Sequence, residues 1–150
     1  MTKHELMDIA CKVSDSSKCY SRKVGAVLTR NGAIISTGYN GPPTKMRPCT
    51  LKDGSPGCPR REMPEYKPGM YLEHCPAAHA ERNSILLAAR EGICTKGTTI
   101  YCYCGLPCKD CMIEIVNAGV DKIVCLTGEP LYDTLSARIL QECSISVEYI

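Results

Sequence analysis

Apolar side chains at the start of the chain recur with the spacing of a helix. Within residues 5–14, Leu6, Ile9, Ala10 and Val13 fall at i, i+3, i+4 and i+7. Side chains at these intervals lie on one face of a helix. The pattern therefore predicts that the chain opens with an amphipathic helix.

Two β-branched runs follow this helix. Residues 24–29 and 33–37 are separated by Arg30-Asn31-Gly32. Asn-Gly supplies the positive φ angles that a tight hairpin turn needs. The pattern predicts two antiparallel strands.

Helical and strand patterns alternate in the second half of the chain. Residues 82–90 favour a helix that Gly92 is placed to end. Residues 98–102 and 122–126 are typical of buried strands, and residues 108–118 between them are typical of a crossover helix.

The order of these elements indicates the fold class. A last helix near residues 131–142 and a final strand at residues 145–149 follow the order β-β-α-β-α-β. A hairpin joined to crossover-connected strands implies a mixed α/β sheet covered on both faces. With no internal repeat and no linker, residues 1–150 are predicted to form a single domain.

A proline-rich insertion, residues 41–77, separates the hairpin from the next helix. It holds eight of the ten prolines, so neither a long helix nor a central strand can run through it. An irregular segment of this length inside a compact domain needs something to pin it.

Charge and composition argue against several classes of function. The chain has 18 basic and 16 acidic residues, a formal net charge of +2, and neither Phe nor Trp. A near-balance of charge lacks the broad field that drives binding to nucleic acid or anionic membranes. Eight tyrosines offer little surface on which single-stranded bases could stack. We therefore expect neither nucleic acid nor a membrane as a partner.

The cysteine content points to metal binding. No apolar run approaches the roughly 20 residues that cross a bilayer, and the start lacks an apolar signal-peptide stretch, so we expect a soluble cytosolic protein. Twelve cysteines in such a protein are better explained by metal-binding and buried thiols than by disulfides.

Three candidate metal ligands lie at two predicted helix starts. Cys108 and Cys111 are separated by i, i+3, so both sulfurs can reach one ion. A helix N-terminus also favours their thiolate forms. With His79 they form a set of two thiolates and one imidazole, which is a ligand count of catalytic zinc with a position left for water.

Glu81 is the candidate proton-transfer residue. Zinc with two thiolates and a neutral imidazole is a weaker Lewis acid than zinc with three histidines, so it needs help to generate hydroxide. A neighbouring carboxylate can take the water's proton and pass it on. Side chains at i and i+2 of a helix diverge by about 200°. His79 and Glu81 can therefore converge only if His79 sits at the helix entrance, outside regular helical geometry.

Each half of this pattern has a simpler interpretation when it stands alone. A lone Cys-x-x-Cys could equally be half of a structural zinc site or a redox pair, and a lone His-x-Glu is usually a solvated helix face. Together, His79-Ala80-Glu81 and Pro107-Cys108-Lys109-Asp110-Cys111 form H-x-E…P-C-x-x-C. This is the signature of zinc deaminases that act on nucleobases.

The chain resembles the deoxycytidylate (dCMP) deaminases of phage and bacteria, within the cytidine deaminase superfamily. The resemblance covers residues 17–126 and includes Gly38-Tyr39-Asn40-Gly41 and the two zinc motifs. Ser84 stands where alanine is usual, and Cys104-Gly105-Leu106 replaces the usual Thr-Leu-Ser or similar run. The resemblance implies a three-layer α/β/α fold with a mixed five-stranded central sheet.

The resemblance also implies a reaction, the hydrolysis of dCMP to dUMP and ammonia, which supplies dUMP for thymidylate synthesis. His79, Cys108 and Cys111 would hold zinc, and Glu81 would shuttle protons to N3 and to the leaving amine. Ala80 would contribute a backbone group to the base. Asn40 would hydrogen-bond the sugar; its alternative role is that of a turn residue beside Gly41.

The sequence identifies the residues that contact the phosphate and the effectors less specifically than it identifies the zinc ligands. Candidate ligands of the 5′-phosphate, each of which could instead be a solvated surface residue, are Arg22, Lys23, Arg47 and Tyr132. By resemblance, the enzyme would be a hexamer activated by dCTP and inhibited by dTTP, with Mg²⁺ accompanying the triphosphates. The effector region would lie around residues Gly38, Tyr39, Asn40 and Gly41.

A second zinc ion is predicted to pin the insertion. Closing about 37 residues costs roughly 3 kcal/mol plus a constant, and little apolar sequence is available there to offset it. Four thiols, a complete structural zinc set, lie in or beside it: Cys19, Cys49, Cys58 and Cys75. His74 is a rival fourth ligand, and the alternative is that these cysteines are simply buried. Relatives with similar cysteines often carry such a zinc.

Two other functions fit parts of this pattern. A deaminase of polynucleotides or free nucleosides would share the same zinc core, but the balanced charge and Gly38-Tyr39-Asn40-Gly41 argue against it. A cysteine-rich zinc module that only binds partners would leave Glu81 without a role.

Overall fold

The computed structural model describes residues 1–127 and 134–150. Its described helices and strands alternate along the chain much as the sequence pattern predicts. The helices are α1 (Lys3–Ser14), α2 (Ala80–Arg90), α3 (Lys109–Asn117) and α4 (Leu135–Glu142). The strands are β1 (Gly25–Arg30), β2 (Ala33–Tyr39), β3 (Thr98–Gly105), β4 (Val120–Thr127) and β5 (Ser146–Tyr149).

The strands form one mixed sheet in the order β2-β1-β3-β4-β5. β1 runs antiparallel to β2 and β3, whereas β3, β4 and β5 are parallel to one another. The predicted hairpin turn has positive φ at Asn31 (52°) and Gly32 (78°), and Arg30 pairs with Ala33 across it. The predicted mixed five-stranded sheet is confirmed.

Helices cover both faces of the sheet. On one face, α1 buries Leu6 and Ala10 against Val27, Tyr101 and Val124. On the other face, α2 and α3 contribute Ala88, Met112 and Ile115 to a larger core, to which α4 adds Ile139 and Leu140. The predicted three-layer α/β/α arrangement is therefore confirmed.

Gly38 sets how closely α2 approaches the sheet. A Cβ atom at this position would lie 2.3 Å from the Ser84 nitrogen and 2.4 Å from the Ala80 oxygen. Both atoms belong to the backbone of α2, which cannot move aside as a flexible side chain could. The glycine thus allows the first turns of α2 to rest on β2, which places the neighbouring His79 and Glu81.

Strand β3 is longer than the sequence pattern indicates. It continues past Cys102 to Gly105, because parallel pairing with β4 resumes at Gly105 and Thr127 after an irregularity in register. The predicted start of the last helix, Leu131, lies outside the described residues, and α4 is described from Leu135.

The proline-rich insertion is irregular, with two short 3₁₀ turns at Pro59–Glu62 and Leu72–His74. Its two ends are joined by a pair of backbone hydrogen bonds between Gly41 and Ala78, at 3.1 and 2.9 Å. Its start and finish are therefore held together next to His79, the residue that follows Ala78. In the portion of the chain that the structure describes, no helix is both long and apolar enough to cross a membrane.

Candidate active site

Three ligand atoms converge where α2 and α3 begin. His79 is the N-cap of α2, with extended backbone angles (φ −71°, ψ 158°). Its Nδ1 lies 3.5 Å from the Cys108 Sγ and 3.3 Å from the Cys111 Sγ. Because the backbone of His79 is extended, its imidazole does not follow regular helical geometry. The imidazole and the Glu81 side chain can therefore converge on the same site.

The two thiols behave as a coupled pair. Cys108 is the N-cap of α3, and Cys111 lies in the first turn of that helix. Hydrogen bonding from Cys111, and then from His79, lowers the pKa of Cys108 to about 4. The pKa of Cys111 is raised, first by its hydrogen bond to Cys108 and then by burial. The surroundings of Cys108 therefore favour its thiolate form, which is the form that binds metal.

The donor set fits zinc. The ligand atoms of His79, Cys108 and Cys111 all lie within 4.8 Å of one another. Two sulfurs and an imidazole nitrogen are ligands that zinc prefers, and three of them leave a fourth coordination position. His79 is exposed whereas Cys111 is buried, so one side of the cluster faces solvent and is accessible to water and a substrate.

Glu81 lies beneath this cluster. Only 4% of the residue is exposed, and its Oε2 lies 4.0 Å from the Cys111 Sγ. Burial raises the pKa of Glu81, because the carboxylate loses the solvation that the neutral acid does not need. A buried carboxyl group beside the candidate metal ligands is positioned to accept and donate protons.

Cys104 is a residue that the sequence pattern did not single out as functional. Its thiol donates to the Glu81 Oε1 at 3.6 Å, and it also lies 3.2 Å from the Gly105 carbonyl oxygen. The ligand atoms of Glu81, Cys102 and Cys104 form a second group within 4.8 Å. Cys102 and Cys104 are two residues apart, a spacing that puts both side chains on the same face of a strand. This signal was not used because the strand was predicted to end at Cys102.

The side-chain carboxamide of Asn40 forms hydrogen bonds with backbone atoms of two other residues. Its Oδ1 accepts from the Val24 nitrogen at 2.8 Å, and its Nδ2 donates to the Arg22 oxygen at 3.0 Å. Its own carbonyl oxygen accepts from the Ser17 hydroxyl at 2.8 Å. Asn40 thereby ties the segment before β1 to the end of β2. Ala80 follows His79 directly and is fully buried.

The candidate phosphate ligands have different surroundings. The pKa of His79 is raised, chiefly by its hydrogen bond to Cys108, while the nearby positive charge of Arg22 acts to lower it. The backbone of Arg22 bonds Asn40, whose neighbour Gly41 pairs with Ala78 directly before His79. Lys23 is the next residue of the same exposed segment. Arg47 forms an ion pair with Glu62. Tyr132 lies outside the described residues.

The four thiols of the predicted second metal site lie in the same region of the fold. Burial, followed by the proximity of the other three thiols, raises the pKa of Cys49 to about 11; those three belong to Cys58, Cys19 and Cys75. Within the described chain they do not form a group as tight as that of His79. The rival ligand His74 lies 3.8 Å from the Glu73 carboxylate and packs edge-on against Tyr71.

A surface cavity of ≈ 480 Å³ borders the region predicted to bind effectors. Gly38, Tyr39 and Gly41 line it, together with Leu86 and Arg90 of α2. Asn40 is not among its lining residues. The cavity therefore lies beside, rather than within, the hydrogen-bond network of Asn40.

A three-layer α/β/α fold that carries a His-Cys-Cys cluster over a buried glutamate defines the class of zinc-dependent nucleobase deaminases. Residues 1–127 match the family model described as the cytidine and deoxycytidylate deaminase zinc-binding region. The chain belongs to this family.

Named relatives agree with this membership. The chain is 34% identical over 146 residues to a deoxycytidylate deaminase of Schizosaccharomyces pombe, covering 96% of this chain and 42% of the relative. It is 37% identical over 144 residues to the deoxycytidylate deaminase of phage T4, covering 79% and 74%. The chain thus spans less than half of the yeast relative and about three quarters of the phage relative.

A solved structure is similar over nearly the whole chain. The dCMP deaminase of cyanophage S-TIM5, in complex with dCMP and dUMP, superimposes with a TM-score of 0.74 at 29% identity. The match covers 99% of this chain and 96% of that one. The architecture described above is therefore similar to that of this cyanophage dCMP deaminase.

Proposed function

We propose that this chain catalyses the zinc-dependent hydrolysis of dCMP to dUMP and ammonia. The observation that carries the proposal is the buried carboxyl group of Glu81, which lies beside three converging candidate zinc ligands. A zinc module that only binds partners has no need of such a group. The named dCMP deaminases among the relatives support the choice of substrate.

In this mechanism His79, Cys108 and Cys111 would hold the metal. When bound, zinc supplies a Lewis acid that activates water for attack at C4 of cytosine. Glu81 accepts a proton from the attacking water and delivers it to N3 of the base. It then takes the second proton from the hydroxyl group now on C4 and passes it to the amine, so that the C4–N bond breaks, ammonia leaves and the C4 carbonyl of uracil forms. General acid–base catalysis of this kind contributes about 10²- to 10⁴-fold to rate.

The substrate phosphate is assigned to Arg22 and Lys23. A monophosphate carries about two negative charges at neutral pH, which a guanidinium can hold bidentately and an ammonium as a point charge. Arg22 is favoured because its carbonyl oxygen bonds Asn40, and the next residue, Gly41, pairs with Ala78 directly before His79. Arg47 ranks below both because its guanidinium is already paired with Glu62. We keep Asn40 as a sugar contact, made by the Nδ2 hydrogen that does not bond Arg22.

The experiment that tests this function is an ammonia-release assay with product identification on zinc-loaded protein. The substrates are dCMP, deoxycytidine, dAMP and an oligonucleotide that contains cytosine. We expect conversion of dCMP to dUMP and much slower reaction of the other three. Deamination of the oligonucleotide as well as dCMP would overturn the assignment of a monophosphate pocket.

We also propose that Cys19, Cys49, Cys58 and Cys75 hold a structural zinc ion. The support is twofold. Cys49 is buried, with 4% of the residue exposed, and burial followed by the other three thiols raises the pKa of the Cys49 thiol. A structural zinc site of four thiolates binds with roughly 10–16 kcal/mol in small peptides, which exceeds the loop-closure cost of the insertion. His74 is the less favoured ligand because it is exposed and lies beside Glu73.

Regulation by dCTP and dTTP, with Mg²⁺, in a hexamer is a further proposal that rests on the resemblance. The cavity beside Gly38 is the candidate effector site. Among the described residues that line it, Arg90 is the one charged side chain, and it bonds Glu91 at 3.0 Å. A triphosphate there would need further positive charge, from the accompanying Mg²⁺ and from a second subunit. Hyperbolic saturation by dCMP that neither triphosphate alters, in a protein that elutes as a monomer, would refute this proposal.

A further inference from the structure

The segment that carries Arg22, residues 17–23, has no helix or strand of its own. It connects α1 to β1 and is fixed at its two ends by Asn40. The Ser17 hydroxyl donates to the Asn40 carbonyl oxygen, and the Asn40 carboxamide bonds the backbone at Arg22 and Val24. The middle of the segment, Tyr20 and Ser21, takes no part in these hydrogen bonds with Asn40.

Arg61 of the proline-rich insertion holds that middle part. Its guanidinium carbon lies 4.4 Å from the centre of the Tyr20 ring, and its Nη2 donates to the Ser21 hydroxyl at 3.1 Å. On the insertion side, the same guanidinium lies 5.1 Å from the Tyr66 ring. Arg61 therefore bridges the insertion and residues 17–23 through two rings and a hydrogen bond.

The guanidinium of Arg61 is partly withdrawn from water. Its Nε is buried and has no hydrogen-bond partner among the described residues. An unpartnered buried donor is costly, whereas a cation held over an aromatic ring gains more as it is desolvated. The two tyrosine rings thus provide the contacts that keep this cation in place.

We propose that Arg61 is a positioning residue that holds Arg22 where it meets the substrate's 5′-phosphate. Through this contact, the insertion would set the preference for a nucleotide over a nucleoside. This inference rests on the proposed function, in which Arg22 is the phosphate ligand. Arg61 acts through Ser21 and Tyr20, the two residues that precede Arg22.

Arg60 provides a matched control. It is the adjacent residue of the same 3₁₀ turn and carries the same charge. Its Nε donates to the Met70 oxygen at 3.1 Å, and its guanidinium lies 5.7 Å from the Tyr66 ring. These contacts are with the insertion. Arg60→Ala therefore removes equal charge while leaving the contacts of Arg61 with residues 17–23 in place.

The test is a double-mutant cycle on zinc-loaded protein with Arg22→Ala, Arg61→Ala and both together. Steady-state kcat and KM are measured for dCMP and for deoxycytidine, with zinc content and thermal unfolding checked for each variant. We expect Arg61→Ala to lower kcat/KM for dCMP by about tenfold, mainly through KM. Activity on deoxycytidine should change less than twofold, as should both activities in Arg60→Ala.

The cycle separates this inference from the proposed function. If Arg61 acts through Arg22, the loss in the double variant equals that of Arg22→Ala alone. Additive losses would show that Arg61 acts independently and would overturn the inference. If Arg22→Ala itself leaves dCMP kinetics unchanged, the phosphate assignment is wrong. Arg61→Lys and Tyr20→Phe keep the cation and the ring, so they should retain most of the dCMP preference if Arg61→Ala folds poorly.

Discussion

At the scale of single residues, Asn40 shows how one side chain can organise a site. Its Oδ1 is the acceptor for the buried nitrogen of Val24, and its Nδ2 bonds the Arg22 carbonyl. These two contacts fix where β1 begins and how the preceding segment leaves it. A role in sugar binding would be added to this structural role.

Asn40→Ala should lower the free energy of unfolding by about 1–3 kcal/mol, because the Val24 nitrogen would be left buried without an acceptor. The measurement is denaturant unfolding of the zinc-loaded protein. Asn117→Ala, at an exposed helix end, is the control and should change stability by less than about 0.5 kcal/mol. Equal stability of Asn40→Ala and wild type would show that the carboxamide is not a structural anchor.

At the scale of elements, the contact of α2 with β2 depends on Gly38. We expect Gly38→Ala to cost about 3 kcal/mol or more, since the new methyl group would overlap backbone atoms at 2.3 and 2.4 Å. Gly41→Ala is the matched control, because its Cβ would meet only a ring carbon of Tyr39 at 3.9 Å. The measurement is thermal unfolding, and similar losses in the two variants would contradict this account.

The insertion should depend on its thiols. We expect wild-type protein purified without chelator to carry two zinc ions per chain, and Cys49→Ser to lose one of them. The catalytic zinc should stay, while residues 41–77 become susceptible to limited proteolysis. Cys94→Ser, which removes an exposed thiol elsewhere, is the control. One zinc per chain in the wild type would mean that something other than a metal holds the insertion.

At the scale of the whole molecule, the sequence predicted what depends on local chemistry. Asn31-Gly32 sets its turn by its own φ preferences, and the spacing of Cys108 and Cys111 brings two sulfurs onto one helical turn. Contacts between segments that are far apart in the sequence could not be predicted in this way. The pairing of Gly105 with Thr127 lengthens β3, and that extension accompanies the placement of Cys104 against Glu81. The contact of Arg61 with Tyr20 also depends on the path of the insertion.

The most direct test of the whole account is the conversion of dCMP to dUMP by Glu81→Gln at full zinc occupancy. The amide has nearly the same shape as the carboxyl group but cannot take up and release a proton as the mechanism requires. We expect zinc content and thermal unfolding close to those of the wild type and a loss of at least about 10²- to 10⁴-fold in kcat. Wild-type turnover by the fully metallated Glu81→Gln protein would contradict the assignment of Glu81 as the proton shuttle.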